Sequence, residues 1–189
     1  MDDFSILEAD SVTVARRLLG CVLVRELDGE LLAARIVETE AYHQADPASH
    51  SYKGRTPRTD IMFGSPGFLY VYFTYGMHYC MNVVSGLEGE GSAVLIRALE
   101  PLEGQESMRQ RRHGSSGVQL TNGPAKACQA LGITKLQNGH DLRLAPLRLQ
   151  LHPALPLQKI VQTTRIGISQ AQDKPWRFYI AGNPYVSKL

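Results

Sequence analysis

The stretch FLYVYFTYGMHYCMNVV, Phe68 to Val84, decides how the rest of the chain reads. From Phe68 to Thr74 the residues alternate. Tyr70, Tyr72 and Thr74 therefore share one face of a strand, and Val71 and Phe73 the other. Gly76 supplies a turn, so the stretch reads as a β-hairpin. A Gly76-Met77-His78 loop sets Tyr72 opposite Asn82, and a loop shifted by one residue sets it opposite Met81. Both registers leave Tyr75, Met77 and His78 at or near the tip. Aromatic residues favour strands, so core packing is the ordinary explanation for the rings. The tip is different, because turns usually carry small polar residues. A tip this large is either covered by the chain or enters a partner. Wedges that enter DNA are apolar or aromatic and unstack base steps.

Further elements follow on either side. Asp10-Ser11 caps a short helix bearing Val12, Ala15, Leu18 and Leu19, which Gly20 ends. CVLVREL is a strand, Asp28-Gly29 a hairpin turn, and LLAARIVETEAY the return strand. On that strand Ile36, Glu38, Glu40 and Tyr42 are expected on one face. Residues 43–67 form a long irregular segment of the kind that is functional or disordered. SAVLIRALEPL is a strand with Leu95 and Arg97 on one face. A polar helix spans about Gln105 to Arg112. NGPAKACQALG is a helix with Asn122 or Gly123 as cap and Pro124 in its first turn. LRLQLH, RIGIS and RFYIAG are read as short strands. The pattern predicts an α+β fold of one domain, residues 1–189. It has a largely antiparallel, curved β-sheet, peripheral helices and a protruding hairpin.

The chain has 189 residues, 43% hydrophobic and 20% charged, which suits one sizeable core. It has no long apolar run, so no membrane span is expected. MDDFSILEAD does not resemble an export signal. Cys21, Cys80 and Cys128 form no C-x-x-C pair, and an intracellular setting is expected. That means cytoplasm or nucleoid in a bacterium and nucleus in a eukaryote. A net charge of +2 does not by itself predict a nucleic-acid partner. The basic residues nevertheless cluster in YKGRTPR and MRQRRHG. Such runs are usually solvated loops, yet a local patch suffices to hold a phosphate backbone.

Taken in order, IVETEAY, His50-Ser51, RTPR, LYVYFTYGMHYCMN, VLIRALEPLEG, NGPAKACQAL, TTRIGI and PWRFYIAG resemble the alkyladenine (3-methyladenine or methylpurine) DNA glycosylases. The resemblance runs from about Ala15 to Ser187. It implies a monofunctional base-excision enzyme that flips damaged purines out of duplex DNA and hydrolyses the N-glycosidic bond. Typical substrates are 3-methyladenine, 7-methylguanine, hypoxanthine and ethenoadenine. By the same resemblance Glu40 is the general base for water. Arg97 and the backbone carbonyl of Ile166 help hold that water. A guanidinium beside a buried carboxylate favours its ionised form. Glu38 is not assigned as a second acid, because a cationic methylated purine already leaves well.

The resemblance also assigns the pocket. Tyr42, His50 and Tyr72 match wall residues, which grip flat cationic rings by stacking and cation–π attraction. Leu95 completes the pocket. Asn82 matches a residue that obstructs the 2-amino group of guanine. Tyr75 matches the finger that fills the gap left by the flipped nucleotide, and Met77 flanks it. These roles favour the register with Tyr72 opposite Asn82. Thr56, Arg58 and Met62 match the DNA-backbone segment. Lys126, near a helix start, is a further phosphate contact. Asp60 replaces a basic residue of mammalian members, so fewer phosphate contacts are expected there. No metal or cofactor is implied, since H-E-x-x-H and metal-ligand cysteine spacings are missing. A monomer acting on duplex DNA is expected. Two other classes compete: a non-catalytic nucleic-acid-binding module, and a hydrolase of free nucleosides.

Overall fold

The computed structural model describes residues 3–74 and 76–188. Three α-helices are described: α1 Ser11–Arg17, α2 Gln105–Arg111 and α3 Pro124–Ala130. The strands are β1 Val22–Leu27, β2 Glu30–His43, β3 Leu69–Thr74, β4 His78–Val84 and β5 Ser92–Glu103. Three short ones follow: β6 Leu147–Gln150, β7 Ile160–Thr163 and β8 Arg177–Ile180. They form one antiparallel sheet in the order β3-β4-β5-β2-β1-β6, with β8 paired to β2 and β7 to β8. The α+β architecture is as the sequence predicts.

Local chemistry explains the element ends. The Asp10 carboxylate accepts from the N–H groups of Val12 and Thr13, both at 3.0 Å, and so caps α1. Asp28 and Gly29 have φ of 55° and 79°, as a tight two-residue hairpin turn requires. The outer edge of β3 is covered by a loop. There Val71 donates to Asn138 Oδ1 at 2.9 Å and Leu69 to the His140 carbonyl at 2.8 Å.

Alternation divides the sheet into two faces. Leu69, Val71, Met81, Val83, Val94 and Ile96 belong to the main core, together with residues of α1 and α3. Each fully buried Leu, Ile or Val contributes roughly 1.5–3 kcal/mol. The opposite face carries Tyr70, Tyr72, Cys80, Asn82 and Leu95, which line a cavity.

Three expectations need correction. First, β3 and β4 pair in neither expected register: Tyr70 lies opposite Asn82 and Tyr72 opposite Cys80. Thr74–His78 is the last pair, and Gly76, between these strands, has φ 68°. The displacement from the favoured register is even, so no side chain changes face. Second, Ile36 does not share the face of Glu40. A bulge around Val37 and Arg97 interrupts the β2–β5 ladder and puts Ile36 in the main core. Third, RIGIS is not a strand. Gly167 has φ 75°, and the Ile166 N–H bonds a side chain instead of a neighbouring strand. The strand there is β7, just upstream. Of the two readings of residues 43–67, functional or disordered, the second is set aside: two short 3-10 turns, His50–Lys53 and Asp60–Phe63, order the segment. Met62 and Phe63 pack in a small second core with Tyr70, Val84 and Ala93.

Candidate active site

The cavity has a volume of about 410 Å³. Strand alternation delivers Tyr42 from β2, Tyr70 and Tyr72 from β3, Asn82 from β4, and Leu95 and Arg97 from β5. The segment before β3 adds His50 and Met62, and the loop after β7 adds residues 166–170. The His50 and Tyr72 rings meet edge to face, with centroids 4.6 Å apart. Tyr70 stacks on Tyr72 at 5.7 Å. Tyr70 was expected to be structural only, yet its face parity with Tyr72 makes it a wall residue.

Glu40 is wholly buried beside this cavity. Its Oε2 accepts from the Tyr42 hydroxyl at 2.8 Å. Its Oε1 accepts from the Ile166 N–H at 2.8 Å and faces Arg97 Nη1 at 3.3 Å. An ionised carboxylate offers about four acceptor positions. Among the described residues two hydrogen bonds are accepted, one on each oxygen, with Arg97 as an ion-pair partner of Oε1, which leaves a position on Oε2. Burial and the Glu40 carboxylate together push the Tyr42 hydroxyl far above its ordinary pKa, so it remains a proton donor. Two carboxylates, Glu40 and Glu38, raise the Arg97 pKa against the effect of burial. Ile166 was expected to act through its carbonyl; the bond seen here uses its N–H.

His50 is partly exposed, yet burial of the rest of its ring, and then the Arg58 charge, push its pKa down to about 4. It is therefore neutral at pH 7. Its Nδ1 lies 3.1 Å from the Tyr70 oxygen, which also bonds Arg58. Unfolded histidine titrates near 6.5 and takes up protons the native ring refuses. Stability is thus lost as pH falls from about 6.5 towards 4, and is unaffected above that window. Partial exposure keeps the effect small. Urea midpoints of wild type and His50→Asn are expected to converge as pH falls through this window; parallel curves would count against a neutral His50.

A second buried pair supports the pocket from behind. Arg165 hydrogen-bonds the Asp46 carboxylate and the Ala41 carbonyl, the latter at 3.0 Å. Its guanidinium lies 4.7 Å from the Tyr42 ring centroid and 5.2 Å from that of Trp176. Asp46 and Arg165 are 119 residues apart, and no sequence motif joins them.

The other expected residues are placed as follows. Asn82 is buried, and its Nδ2 donates to the Tyr70 carbonyl at 3.1 Å, which fixes the amide. Met77 is exposed at the hairpin tip, and Tyr75 lies outside the described residues. Thr56 and Arg58 are exposed, with the Arg58 guanidinium 5.8 Å from the Tyr72 ring centroid. Met62 is buried against the pocket, and its N–H donates to Thr59 at 2.8 Å. Lys126 Nζ donates to Gln119 at 2.6 Å and Asn122 at 2.8 Å. In the second basic cluster, Arg111 pairs with Asp28 at 3.0 Å and Arg112 binds Gln129 and the Leu120 carbonyl. That cluster braces α2 and does not form a free patch.

Comparison with known proteins agrees with this geometry. The model of the methylpurine-DNA glycosylase family matches residues 5–184. Relatives carrying the name "Putative 3-methyladenine DNA glycosylase" are similar along nearly their whole length. The protein of Carboxydothermus hydrogenoformans is 54% identical over 181 residues, covering 95% of this chain and 94% of the relative. That of Methanoculleus marisnigri is 52% identical over 184 residues, covering 96% and 95%. That of Desulfitobacterium hafniense is 51% identical over 191 residues, covering 94% of each. The class is thereby defined as DNA glycosylases, hydrolases of N-glycosyl bonds that act on DNA in its repair. Within that class, the chain belongs to the methylpurine-DNA glycosylase family.

Proposed function

We propose that this glycosylase flips an alkylated or deaminated purine out of duplex DNA and hydrolyses its N-glycosidic bond with water activated by Glu40. The substrates are 3-methyladenine, 7-methylguanine, hypoxanthine and ethenoadenine. The products are the free base and an abasic site, which starts base-excision repair. One observation carries the reading. A buried carboxylate accepts hydrogen bonds from Tyr42 and Ile166 and is paired with Arg97, beside a ring-walled cavity. Such a carboxylate can orient one water and take its proton while sugar positive charge develops. Tyr42 links both tasks, since its ring lines the cavity and its hydroxyl holds Glu40.

Tyr42, His50 and Tyr72 grip the extruded base, with Leu95 beneath it. Tyr75 fills the vacated position in the duplex and Met77 flanks it. Thr56, Arg58 and Lys126 contact phosphates. The protein acts as a monomer, with residues 1–189 as one catalytic domain. A direct test uses duplexes carrying a single hypoxanthine or ethenoadenine, with chelator present, followed by alkali. Breaks only at the lesion are expected. Binding without breaks favours a non-catalytic module, and cleavage of free nucleoside favours a small-molecule hydrolase.

The fixed Asn82 amide supports exclusion of guanine through its 2-amino group. Shortening it by Asn82→Ser is expected to raise excision of undamaged guanine relative to hypoxanthine by about 10-fold or more, the scale of one small group in a pocket. Release of each base from matched duplexes measures that ratio, and an unchanged ratio removes Asn82 from the gate.

A further inference from the structure

Glu38 lies beside Glu40 on β2 and is equally buried, yet the chemistry proposed above does not use it. Its Oε1 accepts from Arg97 Nε at 3.0 Å, Arg177 Nε at 2.7 Å and Ser187 Oγ at 2.9 Å. Its Oε2 accepts from the Ser187 N–H at 2.6 Å. Arg97 is divided between two carboxylates. Its Nε faces Glu38, its Nη1 lies 3.3 Å from Glu40, and its Nη2 donates to Ser187 Oγ at 3.4 Å. Arg177 also holds the Lys188 carbonyl. The last described residues of the chain are therefore bound into the active-site charge network.

We propose that Glu38 is a positioning residue which, with Ser187, holds Arg97 so that only one guanidinium nitrogen reaches Glu40. The proposal rests on Glu40 being the general base. Arg97 sits at the bulge where the β2–β5 ladder is interrupted, so regular strand pairing does not hold its side chain. Glu38 and Ser187 supply the missing constraint. Electrostatics gives a second reason. Two carboxylates and two guanidiniums share the site, and an Arg freed from Glu38 would close bidentately on Glu40. That would occupy the acceptor position needed for water and weaken the base.

Charged and titratable groups surround Glu40 on several elements. Arg97 faces it from β5, Glu38 and Tyr42 from β2, Tyr72 from β3 and Cys80 from β4. Arg177 lies opposite it on β8, and Arg165 stacks behind Tyr42. Burial raises Tyr72 and Cys80 above their ordinary values, so both stay neutral. Glu38→Gln removes a neighbouring negative charge and releases Arg97. Both changes act on the surroundings of Glu40, so the pH–rate profile changes shape, which a merely structural loss would not cause.

The test is single-turnover base release from a hypoxanthine duplex between pH 4.5 and 8. Wild type, Glu38→Gln, Ser187→Ala and Glu40→Gln are compared, with lesion-DNA binding and thermal midpoints alongside. Glu38→Gln is expected to lower the plateau rate about 10–100-fold, the scale of a misplaced catalytic group. Its pH–rate profile changes shape relative to wild type, with binding retained. Ser187→Ala, near the surface, is expected to lower the plateau several-fold with little change in midpoint. A Glu38→Gln protein that is less stable but keeps the wild-type plateau and profile overturns the proposal. If Glu38→Gln does not fold, a wild-type rate for Ser187→Ala overturns it. Wild type that releases no base, or fully active Glu40→Gln, overturns the underlying reading and the proposal with it.

Discussion

Glu40→Gln is expected to reduce base release by about 10²–10⁴-fold, the contribution of a positioned general base, while lesion-bearing DNA still binds. The substitution keeps the size and shape of the side chain. Its amide oxygen can still accept from the Ile166 N–H, now 2.8 Å from Glu40 Oε1. It cannot take a proton from water, and it removes the negative charge that faces Arg97 at 3.3 Å. The ring walls contributed by Tyr42, His50 and Tyr72 are untouched, so affinity for a flat base is retained. Single-turnover release and gel-shift binding on the same hypoxanthine duplex separate the two effects. A variant as fast as wild type would show that water is activated elsewhere.

Arg165→Ala is expected to produce the largest loss of stability, about 3–5 kcal/mol, because it leaves a buried carboxylate without its partner. Both side chains of the Arg165–Asp46 pair are 0% exposed. For a chain of this size that corresponds to a fall in thermal midpoint of roughly 6–20 °C. The exposed Arg55–Asp60 pair is the control, with side chains 60% and 54% exposed. Surface pairs contribute about 0–1 kcal/mol, so Arg55→Ala is expected to lower the midpoint far less. Replacing both partners, Arg165→Met with Asp46→Ala, should recover part of the loss, since no lone charge is left buried. Thermal unfolding followed by circular dichroism reads all three. Equal midpoints for Arg165→Ala and Arg55→Ala would contradict the buried pair. Activity should fall as well, because Arg165 stacks behind Tyr42 and directly precedes Ile166.

Glu38 and Glu40 show why two neighbouring strand carboxylates need not form a catalytic pair. Each ion taken out of water costs several kcal/mol unless its partners compensate. Glu38 is compensated on both oxygens by two arginines and Ser187, which leaves it poorly placed to give or take a proton. Glu40 accepts fewer hydrogen bonds and lies beside the cavity wall formed by Tyr42. Apolar packing on the opposite face supplies the stability that this charged face does not.

The amino-acid sequence by itself determined the elements whose causes are local. Alternation from Phe68 to Thr74 defined the hairpin and the shared face of Tyr70 and Tyr72. Asp10 determined the start of α1, and Asp28-Gly29 determined the first hairpin turn. The short motifs, taken in order, pointed to the family. Tertiary structure decided everything that depends on residues far apart in the chain. It set the β3–β4 register, the bulge that turns Ile36 away from Glu40, and the turning of Ile166 towards a carboxylate 126 residues earlier. It also brought Ser187 to Glu38, 149 residues away. The physical reason is range. Dihedral preferences, caps and alternation act over a few residues. Buried charges find their partners only when packed faces bring distant segments together, and nothing in either segment alone encodes that meeting.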